Sequence, residues 1–170
     1  MPDWRSGRDY REIYSADSEK GGGVLNDLSH EIDYAQWLFG KFIVLKAINR
    51  KVSNLEIKSD DYAGILGITE YNVIVNITLE YLSKKAIRKL YLNTNNNTFD
   101  LDLVDNAMTY YDDNLKLQKV RKEYNRNYTY SEMHSEILFG KTENAATYSD
   151  ALEVLKTITE IRKADKEFYE

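Results

Sequence analysis

The chain has 170 residues, the length of one domain able to bury about 70% of its unfolded surface around a single core. It holds 8 glycines and one proline, Pro2, with no G-x-G-x-x-G spacing and no glycine loop ending in Gly-Lys-Ser/Thr, which excludes the dinucleotide fingerprint and the P-loop. A net charge of -5, from 23 basic and 28 acidic residues, argues against a general nucleic-acid binder, and the lack of cysteine excludes disulfides and thiolate metal sites.

The opening stretch mixes arginines and aromatics and reads as an irregular arm followed by a strand over Tyr10 to Ala16. Three glycines, Gly21 to Gly23, precede apolar residues Leu25, Leu28, Ile32, Ala35 and Phe39 at intervals of three and four, which predicts one amphipathic helix stopped at Gly40. Runs rich in β-branched and aromatic residues then predict strands over Phe42 to Asn49, Asp61 to Ile68, Asn72 to Leu82, Ala86 to Leu92 and Phe99 to Val104. A weaker hairpin is expected from Met108 to Val120, turning at Asp112, Asp113 and Asn114.

The last third is helical. Thr129 with Glu132, and Thr147 with Asp150, carry the spacing of a capping box, in which a hydroxyl and a carboxylate satisfy the first free N–H groups of a helix. The closing helix places Ala151, Val154, Leu155, Ile158 and Ile161 on one face and ends in a solvated tail, KADKEFYE. The sum is an α+β domain: a largely antiparallel open sheet with helices packed on one face. The 14 tyrosines and two tryptophans suggest that the other face is presented to another subunit or domain. No apolar run is long enough to span a bilayer, and Met1 is followed by charged, aromatic sequence, so the expected compartment is the cytoplasm.

The chemistry concentrates between Gly21 and Gly40. A polar stripe of Asn26, His30, Asp33 and Trp37, spaced four, three and four, could face a cleft. His30 near a helix start, with Asp27 and Asp33 close in sequence, suits a proton-exchanging imidazole oriented by a carboxylate. The same residues equally suit a structural hydrogen-bonding histidine. His134 reads as a surface or interface residue, and two widely separated histidines give no metal-ligand spacing. A hydrolase is disfavoured, because no serine sits in a nucleophile elbow and there is no cysteine.

Taken together, Gly21-Gly22-Gly23-Val24-Leu25-Asn26-Asp27, His30-Glu31-Ile32-Asp33 and Trp37-Leu38-Phe39-Gly40 resemble the C-terminal domain of the glucose-fructose oxidoreductase and inositol dehydrogenase (Gfo/Idh/MocA) family. The resemblance also takes in the entry WRSGRDYREIYSA, the strands around DDYAGIL and VNITLEYLSKKAIRKLYL, and the closing capped helix, so that it covers essentially the whole chain. It implies the substrate-binding and oligomerising half of an NAD(P)-dependent oxidoreductase acting on a sugar, cyclitol or sugar nucleotide. Residues 1–170 would be that single domain, with the N-terminal Rossmann domain absent, no cofactor bound by this chain alone, and homo-oligomers formed through the open sheet face.

By the same resemblance His30 matches the family's catalytic acid/base. Asp27 matches the aspartate before it, although the family's usual gap is four positions and here it is three, leaving Asn26 at the fourth; Asp27 either reaches substrate or caps the helix. Asp33 either fixes the helix or touches substrate. Arg5, Arg8 and Arg11 lie where the family builds part of its pocket rim, and read either as anion-binding forks or as solvated charge, the latter being the simpler account. The basic cluster Lys84, Lys85, Arg88 and Lys89 reads as an exposed strand side. The competing reading of the whole is a stand-alone, non-catalytic sugar-binding or dimerisation module.

Overall fold

The stripe behind the glycine triplet folds into two helices, α1 (Val24–Asp27) and α2 (Ser29–Phe39), in a computed structural model that describes residues 7–112, 114–125, 127–140 and 145–167. The single helix expected here is interrupted at Leu28, whose φ of -105° and ψ of 22° leave the helical basin. Val24, Leu25, Ile32 and Ala35 are nevertheless all buried, so the apolar stripe continues across the break.

Upstream, Tyr10 to Ala16 is not a strand. The Asp9 carboxylate accepts the Arg11 N–H at 2.9 Å and the Asp9 carbonyl accepts the Glu12 N–H at 3.2 Å, which turns the chain before a ladder can form. Single 3-10 turns follow at Tyr14–Ala16 and Ser18–Lys20.

Strands β1 (Phe42–Arg50), β2 (Tyr62–Thr69) and β3 (Ile74–Glu80) form one antiparallel sheet in that order. A bulge between Val44 and Lys46 shifts the register of β1. Strict alternation from Phe42 would turn Lys46 inward; the extra residue keeps it exposed and returns Ala47 to the core. The β2–β3 turn closes on Asn72, at φ 60°, while the Thr69 hydroxyl accepts the N–H groups of Tyr71 and Val73.

A second antiparallel sheet runs β4 (Lys89–Asn93), β5 (Thr98–Asp102), β6 (Ala107–Tyr111) and β7 (Leu117–Arg121). The expected strands are present, but divided between two sheets. The last hairpin turns where expected, with the Asp112 carboxylate accepting the N–H groups of Asn114 and Lys116; Asp113 lies outside the described residues.

Helix α3 (Tyr128–Leu138) begins one residue before Thr129, with Asn127 as its cap residue and no side-chain cap, so the box expected from Thr129 and Glu132 does not form. A turn in which the Tyr128 N–H reaches the Asn125 carbonyl starts the helix early and leaves Thr129 inside it. In α4 (Tyr148–Lys166) the Thr147 and Asp150 box is complete. Its buried face is Val154, Thr157, Ile158 and Ile161, whereas Leu155 is 60% exposed, and Ala151 is exposed as well. The helix continues through most of the stretch expected as tail, with Ala164 packed against the core; residues 168–170 lie outside the described residues.

Contacts cluster into two units, Met1–Leu82 with Ala146–Glu170, and Ser83–Ala145. In the first, α4 packs along β1, α1 lies against β2 and β3, and the core joins Val24, Leu25, Ile32, Phe42, Ile65, Tyr81, Ile158 and Ile161. The outer face of the same three strands carries Ile43, Leu45, Ile48, Leu66 and Ile74, all exposed. The second unit holds the four-stranded sheet and α3. Among the described residues no helix is long and apolar enough to cross a membrane.

Candidate functional site

The glycine triplet is packed by the chain's own backbone. Gly22 donates its N–H to the Asp17 carbonyl and Gly23 to that of Ser15, and a methyl group on Gly22 would collide with the carbonyl oxygens of Tyr14, Ser15 and Asp17. Gly23 has φ 114°, and a side chain there would run into the Asp60 carboxylate. Asp60 in turn accepts the first N–H groups of α1, from Val24 through its carbonyl at 3.1 Å and from Leu25 through its carboxylate at 3.3 Å. The turn therefore seats α1 on residues 14–17 and 60. A dinucleotide pyrophosphate does not fit this turn, because the space that glycine opens is already filled.

From this base the predicted residues diverge. Asn26 donates to the Gly21 carbonyl at 2.8 Å and accepts from the Arg162 guanidinium at 3.1 Å, tying the glycine turn to α4. Asp27 points inward, where its Oδ2 accepts the hydroxyl of the fully buried Tyr81 at 2.8 Å. Burial first, and then the Asp27 hydrogen bond, push the Tyr81 phenol well above its ordinary range. The Asp27 Oδ1 atom is buried and has no hydrogen-bond partner among the described residues.

His30, in the first turn of α2, is 54% exposed, and its Nε2 lies 3.1 Å from Glu31 Oε1. Asp33 follows one turn on; partial burial, and next the Asp150 carboxylate, push its carboxyl up, while His30 pulls it down. Trp37, the last member of the expected stripe, is 65% exposed. His30 and Asp33 are thus brought together on α2. Asn26 and Asp27 precede the break at Leu28 and are engaged by other parts of the chain, Asn26 at the surface by Gly21 and Arg162 and Asp27 by the buried Tyr81.

Arg11 is held by two carboxylates, with Nε and Nη2 on Asp9 and Nη1 3.0 Å from Glu56. Arg11 holds the Asp9 carboxyl down at about 2. Arg8 is exposed, and Arg5 lies outside the described residues. In the second unit Lys89 sits 3.7 Å from Asp100 and 3.8 Å from Asp102, so this part of the basic cluster has acidic partners. Among the described residues no group of three or more histidine, aspartate or glutamate side chains could hold a metal ion. Sequence reasoning missed Tyr81 and Arg162, which reach Asp27 and Asn26 from distant elements and leave no local pattern.

Similarity to known proteins agrees with this architecture. Residues 5–95 match the model of the oxidoreductase family, C-terminal alpha/beta domain. The fold is similar to an NAD binding oxidoreductase from Klebsiella pneumoniae, at a TM-score of 0.77 and 13% identity, covering 91% of this chain and 52% of that one. An oxidoreductase domain protein from Kribbella flavida aligns at 0.73 and 14% identity, over 91% of this chain and 51% of that one. UDP-N-acetylglucosamine 3-dehydrogenase GnnA from Acidithiobacillus ferrooxidans aligns at 0.69 and 14% identity, over 86% of this chain and 48% of that one. The chain thus spans about half the length of these structures, and identities this low speak for the fold alone. No curated protein matches the sequence. With the family model covering more than half of the chain, the protein belongs to the Gfo/Idh/MocA oxidoreductase family, as its C-terminal alpha/beta domain.

Proposed function

We propose that this domain receives a sugar, cyclitol or sugar-nucleotide substrate for an NAD(P)-dependent oxidoreductase, with His30 exchanging the proton of the reacting hydroxyl. The observation that carries the reading is the half-exposed imidazole in the first turn of α2, one residue beyond the short helix α1 that the filled glycine turn and Asp60 hold in place. A rigid base and an accessible ring are what proton exchange at a bound hydroxyl requires. Family membership supports the oxidoreductase class, and one fold relative is named a UDP-N-acetylglucosamine 3-dehydrogenase.

The dinucleotide supplies the hydride acceptor and belongs to another domain of such an enzyme, since the glycine turn here does not fit it. This chain's own residues bind and orient substrate and move the proton at His30. The exposed apolar side chains of β1, β2 and β3 support pairing of two copies through the outer sheet face, and the cytoplasm is the compartment proposed for the enzyme.

Calorimetric titration of the chain with a UDP-hexosamine, a cyclitol and a free hexose tests the reading. One class is expected to bind, with affinity reduced about tenfold by His30→Ala through loss of a hydrogen bond to a polar ligand, while circular dichroism is unchanged. No binding by any of the three, or an unfolded His30→Ala, overturns it. Binding without any acceleration of turnover once a cofactor domain is supplied would leave a non-catalytic sugar-binding module.

A further inference from the structure

The two flanks of α4 are used differently. Helical spacing puts Arg162 on one flank, where its guanidinium donates to Asn26 at 3.1 Å, and puts Glu153, Lys156, Glu160 and Lys163 together on the other. That second flank borders a groove of about 390 Å³ whose lining includes the apolar side chains of Phe42 and Val44 at the start of β1. Among the described residues β1 is an edge strand, so no further strand lies beyond it. Lys156 donates to Glu153 at 2.7 Å and Lys163 stands 3.8 Å from Glu167, but among the described residues no hydrogen bond or ion pair engages Glu160, which lies between the two lysines.

The order of the signs carries the argument further. Glu153 and Lys163 lie five positions to either side of Ile158, and Lys156 and Glu160 lie two. A two-fold axis at the level of Ile158 therefore sets acid against base throughout: Glu153 of each copy meets Lys163 of the other, and Lys156 meets Glu160. A row of mixed charge on a solvated helix needs only its own local pairs, and those leave Glu160 unused. We propose that this flank of α4 is a docking surface for a second copy of the chain, lying antiparallel along the groove with these charges closed across the two-fold axis. The β1 bulge after Val44 breaks the regular row of backbone groups that an edge strand offers, so the helix, and not the strand, makes the contact. This surface is separate from the outer face of β1, β2 and β3, and being built on charge it is weakened by salt where an apolar face is not.

Analytical ultracentrifugation of the full chain tests the proposal in a background carrying Leu66→Lys and Ile74→Lys, two exposed positions whose charges block pairing through the outer sheet face. A dimer is expected to persist in that background and to dissociate toward monomer in about 1 M salt. Adding Glu160→Lys sets like charges against each other and is expected to weaken the dimer about tenfold or more. Lys156→Glu combined with Glu160→Lys exchanges the two signs, keeps them complementary across the axis, and is expected to restore it. A monomer in the Leu66→Lys and Ile74→Lys background, a dimer indifferent to Glu160→Lys, or a sign exchange that fails to restore pairing overturns the proposal. Failure of sheet-face pairing is a separate result, read from wild type against the background variant.

Discussion

The two units of the chain solve the same problem, keeping strands together, by different means. Among the described residues every buried apolar side chain lies in the first unit, where Leu25, Ile32, Phe42, Tyr81 and Ile161 join one core. Among the described residues of Ser83–Ala145 none is fully buried. There the sheet relies on neighbouring hairpins and cross-strand rows: Leu90, Leu101, Met108 and Val120 in one row, Leu92, Phe99, Tyr110 and Gln118 in the next. The Phe99 and Tyr110 rings meet at 5.6 Å, and the opposite side is salted by Lys89 between Asp100 and Asp102. The lesson is that the helix bearing His30 is held by long-range packing, and the four-stranded sheet by local pairing.

The sharpest way to break that contrast is a matched pair of truncations. Ile161→Ala is expected to cost about 2–5 kcal/mol, because it opens a cavity in a core drawn from many elements. Leu101→Ala, in a half-buried row, is expected to cost less than about 1.5 kcal/mol, since such a residue recovers only part of its full burial energy. Chemical denaturation measures both; equal losses would give the second unit a core that the contrast denies it.

A smaller effect is expected at Tyr81. Tyr81→Phe removes the donor on Asp27 Oδ2 and is expected to cost about 1–3 kcal/mol, the penalty of a buried acceptor left without its partner. The folded-state phenol titrates above its unfolded value, so its contribution is fully present below about pH 10 and fades as the pH rises past that point. The gap in stability between wild type and Tyr81→Phe therefore narrows in alkaline solution; a constant gap would remove the linkage.

The smallest effect belongs to Asp33. Its carboxyl is raised by partial burial and then by Asp150, so the folded state binds that proton more tightly than the unfolded chain does. Ionised Asp33 is thus a mild burden at neutral pH that disappears below about pH 4, where both states are protonated. Asp33→Asn is expected to raise the melting temperature slightly at pH 7 and not at pH 3. A loss of stability at pH 7 would mean that the carboxylate is doing structural service on α2.

Much of this organisation was legible in the residues themselves. Apolar spacing found the helical stretch before Gly40, though as one helix and not two, β-branched runs found the first three strands, and Thr147 with Asp150 marked the start of α4, because each signal is local. What escaped was set at a distance or by one competing bond. The Asp9 carboxylate overrode the strand pattern that follows it, the β1 bulge rescued Lys46 from the core, and Asn125 started α3 ahead of Thr129. At the site, the spacing of Asp27 and His30 could not show that Asp27 turns onto Tyr81, because the chain leaves the helix at Leu28 and the three-residue gap does not measure an angle on one cylinder. Tyr81 and Arg162 have no motif at all; only the folded chain brings them to Asp27 and Asn26.

The bond from Arg162 to Asn26 also sets an order of events. It joins residues 136 positions apart, across a chain that leaves the first unit at Leu82 and returns at Ala146. During synthesis the four-stranded sheet, made of consecutive hairpins, has all its partners long before α4 emerges, and short loops close fastest. The unit that carries His30 must wait for the last helix. Until then its strands and α2 stand as an unfinished shell, so the final stretch of the sequence acts as a keystone, and premature termination would spare the hairpins while leaving the His30 unit without its closing helix.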